Sequence, residues 1–66
     1  MGYKIKEVRE AKGMTQGELA LEAGVSRTII AGLESGAVGN TTVATLIKIA
    51  KALNVTVEDI FFANAV

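Results

Sequence analysis

Between Gln16 and Ser35 two short apolar-faced stretches are interrupted by Gly24-Val25-Ser26, and this interruption constrains the fold more than any other feature. Two helices that cross at about 90–120° over a turn of three or four residues need a small residue where they meet and a conformationally permissive residue in the turn. Ala20 and Gly24 supply these two properties four residues apart. Glycine is the residue best suited to positive φ, so Gly24 ends the first helix and turns the chain. Leu19 and Ala20 then face inward from the first helix, Val25 plugs the turn, and Ile30 and Leu33 face inward from the second.

The flanking segments read as helices too. Ile5, Val8 and Ala11 form a stripe ahead of Gly13, a C-terminal stop. Thr15-Gln16-Gly17-Glu18 has the spacing of a capping box, Ser26 is an N-cap, and Thr42 precedes a run in which Val43, Leu46, Ile49, Ala50 and Leu53 recur at helical spacing up to Asn54. Thr56-Val57-Glu58-Asp59 offers another cap, with two acids where the helix dipole favours them, and Ile60, Phe61 and Phe62 supply its apolar face. The expectation is a single compact all-α domain over residues 1–66 with five helices at about 4–12, 16–23, 27–34, 43–53 and 57–62.

Composition removes whole classes of function. Without Cys or His there is no disulfide frame, no thiolate zinc site, no thiol nucleophile and no imidazole base, so no enzyme, metal or cofactor is expected. Glu58 and Asp59, beside a helix N-terminus and with no His near them in sequence, read as dipole partners and not as a catalytic pair. Seven basic and seven acidic residues cancel, although 1–12 carries a net +2 and 13–36 a net −2. No apolar run is long enough to span a bilayer and the first ten residues do not resemble a secretory signal, so a cytoplasmic protein is expected, with no membrane partner.

The segment TQGELALEAGVSRTIIAGLESG resembles the helix-turn-helix of the Cro/XRE family, the lambda-repressor-like DNA-binding domains. The upstream IKEVREAKGMTQ and downstream TLIKIAKALNVTVEDIFF resemble the family's first, fourth and fifth helices, which extends the likeness over nearly all of residues 4–62. The resemblance implies that the third helix enters the major groove of double-stranded DNA by its N-terminal end. It also implies a structural ion pair between Arg9 and Glu34.

With Ile30 and Leu33 turned inward, a projection at 100° per residue puts Thr28, Gly32 and Ser35 nearly opposite the core, Ala31 beside them, Arg27 on one flank, and Ile29 on the other, nearer the core. The expected base-reading face is therefore Arg27, Thr28, Ala31 and Gly32, with Arg27 the member able to bond a guanine edge through two N–H groups. Phosphate contacts are expected from Thr15, Gln16, Ser26, Asn40 and Thr41, which precede or open helices. Phe62, Ala63 and Val66 form an apolar tail suited to a homodimer interface.

The leading expectation is a stand-alone regulator of the phage-repressor or controller type that binds DNA as a homodimer, with neither a small-molecule ligand nor a separate effector domain. Ala31 and Gly32 are smaller than the polar residues usual in the family, and 37–41 lacks basic residues. The zero net charge, the small residues of the reading face and the apolar tail motivate a second expectation, a protein-interaction module of antitoxin or adaptor kind on the same fold, with weak or no specific DNA binding.

Overall fold

The computed structural model describes residues 3–37 and 41–61, Phe61 by its backbone alone. Five helices follow one another: α1 (Ile5–Ala11), α2 (Gln16–Ala23), α3 (Arg27–Ser35), α4 (Val43–Leu53) and α5 (Val57–Phe61), and no strand occurs among the described residues. The helices lie within a residue or two of their expected positions because caps and stops are local devices.

One three-residue joint is used three times. Gly13, Gly24 and Asn54 each adopt a left-handed conformation, with φ of 72°, 71° and 60°. In each case the next residue's N–H closes on the carbonyl five positions back: Met14 on Arg9, Val25 on Ala20 and Val55 on Ala50, at 2.9–3.1 Å. This is the long-range bond of a Schellman ending, and its usual companion is an apolar contact made by the residue after the left-handed one. Met14, Val25 and Val55 are all half-buried against the core.

The residue after each plug caps the next helix. Thr15, Ser26 and Thr56 each accept an N–H from three residues on through the side-chain hydroxyl. Glu18 and Asp59 return the bond to the backbone N–H of Thr15 and Thr56, completing two reciprocal boxes. Bonds from the Thr56 N–H and then from its hydroxyl favour ionised Asp59 and lower its pKa.

Ala substitutions at two glycines should have opposite effects. A Cβ at Gly24 would meet nothing within 4 Å, so Gly24→Ala is penalised by positive φ alone. The expected cost is about 1–2 kcal/mol. Gly17 lies in the first turn of α2, where a Cβ would meet only Thr15 Oγ1 at 3.9 Å, and Gly17→Ala should gain about 0.5 kcal/mol. Urea unfolding of the two variants checks the signs.

The core is aliphatic: Ile5, Leu19, Ala20, Ala23, Ile30, Leu33, Leu46, Ile49, Ala50, Leu53 and Ile60 are buried together. α2 packs on both α3 and α4, while α1 reaches α3 and α5. Lys4 donates its N–H to the Ile60 carbonyl at 2.9 Å, which ties the start of α1 to α5.

Two apolar positions depart from their expected faces. Ala11 is exposed, and the buried residue of α1 beyond Ile5 is Arg9. Ala11 lies about 120° around the helix from Ile5 and Arg9 only about 40°. Arg9 can occupy that inner position because α3 brings a carboxylate to meet it. Val43 is 66% exposed, since it opens α4 about 70° away from the centre of the Leu46, Ile49, Ala50 and Leu53 stripe.

Candidate nucleic-acid interface

Two features hold the start of α3 at the surface. Ile30 and Leu33 anchor its inner face, and Ser26 Oγ accepts the Ile29 N–H at 3.1 Å, which fixes the first turn. On the opposite side Arg27 and Thr28 are exposed, as is Ser35, whereas Ala31 and Gly32 are half-buried. The expected reading face is thus in one place, but only its first two members stand fully clear of the protein.

Ile29, placed nearer the core by the helical projection, is 38% exposed beside Arg27 and Thr28. Its angular position between the inward and outward faces left either outcome open. The surroundings of α3 decided it.

Thr15 and Ser26 spend a hydroxyl oxygen on capping, which leaves the hydroxyl proton as a donor toward an approaching anion. Thr41 is half-buried ahead of α4, where Thr42 Oγ1 accepts the Thr45 N–H at 3.1 Å and lies 2.9 Å from the Thr45 hydroxyl. Asn40 and the expected dimer residues Phe62, Ala63 and Val66 lie outside the described residues.

Behind this face is a polar cluster that joins three segments. Arg9 Nε donates to Glu34 Oε2 at 2.7 Å and Nη2 to Glu34 Oε1 at 3.1 Å, a two-pronged pairing of guanidinium with carboxylate. Arg9 Nη1 donates to the Met14 carbonyl at 2.6 Å, and Gln16 Nε2 donates to Glu34 Oε1 at 3.0 Å. The side chains of Arg9 and Glu34 are 10% and 3% exposed. Burial opposes ionisation of Glu34, but the bonds from Arg9 and Gln16 and the charges of Arg9 and Lys6 outweigh it, holding the carboxyl below the ordinary glutamate value. The bond to Glu34 in turn raises the Arg9 pKa, against desolvation.

The cluster therefore clamps the last turn of α3 to α1 and to the start of α2. The Gln16 bond had no sequence signal beyond Gln16 opening a helix, because it joins residues 18 positions apart that meet only on folding, whereas the Met14 carbonyl is brought to Arg9 by the local turn at Gly13. Among the described residues, no group of three His, Cys, Asp or Glu could hold a metal ion. No helix among them is long and apolar enough to cross a membrane.

Two short helices set by a glycine joint, with the second presenting its first turn to solvent and sitting in a five-helix frame, define a lambda-repressor-like helix-turn-helix domain. The helix-turn-helix family model matches residues 5–60, and the chain belongs to this family, in its Cro/XRE form. It is similar to an HTH-type transcriptional regulator of Archaeoglobus fulgidus, 43% identical over 61 residues that cover 92% of this chain and 86% of the relative. Among solved structures it is similar to the restriction-modification controller protein C.AhdI from Aeromonas hydrophila, with a TM-score of 0.80, 32% identity, and coverage of 85% and 83% of the two chains. It is also similar to the biofilm regulator SinR of Bacillus subtilis in its complex with DNA, with a TM-score of 0.80, 33% identity, and coverage of 83% and 87%.

Proposed function

We propose that this chain is a DNA-binding transcriptional regulator that inserts the first half of α3 into the major groove. Arg27 reads guanine, Thr28 and Ala31 contact base edges or thymine methyls, and Gly32 permits close backbone approach. Thr15, Gln16, Ser26, Asn40 and Thr41 position the domain on phosphates. Two copies act as a homodimer through the apolar tail containing Phe62, Ala63 and Val66, which places two α3 helices on successive half-sites. Regulation follows from occupancy, by blocking or positioning polymerase, with no catalytic step. The observation that carries this reading is the exposed Arg27-Thr28 turn on a helix whose far end is clamped by Arg9 and Glu34.

Fluorescence anisotropy with duplex DNA across a salt series tests it. Few cations stand at the face, so few counterions are released. With Arg27 the one cation among the residues assigned to this face, the slope of log K against log salt should be shallow, no steeper than about −1 per protomer, at about −0.9 for each phosphate that a cation neutralises. Absence of binding at low salt would end the proposal. It would favour the protein-interaction reading, whose support is exposed Leu21, at 86%, together with Val43 and Ile47.

A further inference from the structure

We infer that Glu34 is a positioning residue for DNA binding: its carboxylate, immobilised by Arg9, holds the Gln16 amide so that one N–H of Nε2 remains aimed outward at a phosphate. This rests on the reading above that Gln16 meets the DNA backbone. The primary amide carries two N–H donors, and an ionised carboxylate can only accept. The Gln16 Nε2, and not its oxygen, must therefore face Glu34 Oε1, 3.0 Å away. One N–H is used there and the other is left.

The direction of control follows from the anchoring. Glu34 is gripped at both oxygens by Arg9 and its side chain is 3% exposed, whereas Gln16 is half-buried at the first position of α2. The carboxylate cannot follow the amide, so the amide is oriented by the carboxylate. A free glutamine would lose rotamer freedom on meeting a phosphate, and here most of that loss has already occurred on folding. The Arg9 charge offsets that of Glu34, which limits the repulsion an approaching phosphate meets. A helix end that serves the fold thereby also tunes a contact at the start of its neighbour.

The test is a double-mutant cycle of Gln16→Ala and Glu34→Leu, which removes the acceptor oxygen, read by the affinity of the full chain for a mixed-sequence 24-bp duplex at low salt and by thermal melting. Glu34→Leu should weaken binding about three- to tenfold when Gln16 is present and add almost nothing when Gln16→Ala is already in place. Equal losses in both backgrounds would overturn the positioning role and leave the Gln16 contact standing. If Gln16→Ala alone leaves affinity unchanged, the phosphate contact itself is wrong and this inference falls with it.

Should Glu34→Leu fail to fold, nitrogen-15 spectra of the unsubstituted protein decide. One Gln16 amide proton should hold its shift and slow exchange when the same duplex is added while the other moves. Two protons that both ignore the DNA, or loss of the protected one, would overturn the inference.

Discussion

Replacing Arg9 by Ala is expected to lower the free energy of unfolding by about 3–5 kcal/mol, because it leaves a buried carboxylate without its counter-charge. A chain of this size has roughly 3–10 kcal/mol in total, so the variant should sit at or near the edge of folding. Part of the loss is the Met14 carbonyl, whose bond from Arg9 Nη1 would disappear along with the pair. Removing both charges is a different perturbation. Arg9→Met combined with Glu34→Leu replaces an ion pair by apolar volume and should recover most of the lost stability. Urea titrations of the single and double variants check this. A single variant within about 1 kcal/mol of the native chain would show that the pair does not clamp α3.

The same pair sets an acid dependence. Glu34 has its folded pKa lowered, so its contribution is complete above the ordinary glutamate range and is lost as pH falls through the folded value. Arg9 stays protonated throughout. In Arg9→Ala the carboxyl remains inside without a cation and titrates higher, so the melting gap between variant and native chain should narrow as the solution becomes acidic. A gap that widened on acidification would contradict the assignment.

Arg27→Ala is the second large effect, and it should appear in recognition and not in stability. Arg27 is exposed, so unfolding should change by no more than about 0.5 kcal/mol. If its guanidinium bonds a guanine edge, the substitution costs about 1–3 kcal/mol of discrimination, or roughly 5- to 150-fold between a selected site and a mixed-sequence duplex. If it meets only phosphate, both duplexes weaken alike and the salt slope falls by about 1. Competition titrations with the two duplexes separate these outcomes. With Ala31 and Gly32 half-buried and without polar reach, Arg27 is the principal source of base-specific hydrogen bonds on the proposed face.

Short-range chemistry was legible from the amino-acid order. The three joints at Gly13-Met14-Thr15, Gly24-Val25-Ser26 and Asn54-Val55-Thr56 consist of interactions within about six residues, so spacing alone located the stops and caps. Periodicity also identified Leu19, Ala20, Ile30, Leu33, Leu46, Ile49 and Leu53 as core. Apolar spacing misplaced Ala11 and Val43, which lie about 120° from Ile5 and about 70° from the centre of the α4 stripe and so turn away from the faces those helices bury.

The Arg9–Glu34 pair could be expected from family resemblance, but no property of either residue alone predicts that an arginine is buried. Desolvating that charge is tolerable only where a carboxylate and a carbonyl meet it, and the carboxylate comes from 25 positions away. Gln16 depends on the same meeting for its orientation, and Ile29 on the packing around α3 for its exposure. The linear chain therefore determined where helices begin, stop and turn, since those choices are settled within one or two helical turns. Which charge lies inside and which side chains face outward were decided only when α1, α2 and α3 came together, because desolvation and countercharge depend on the whole neighbourhood of an atom.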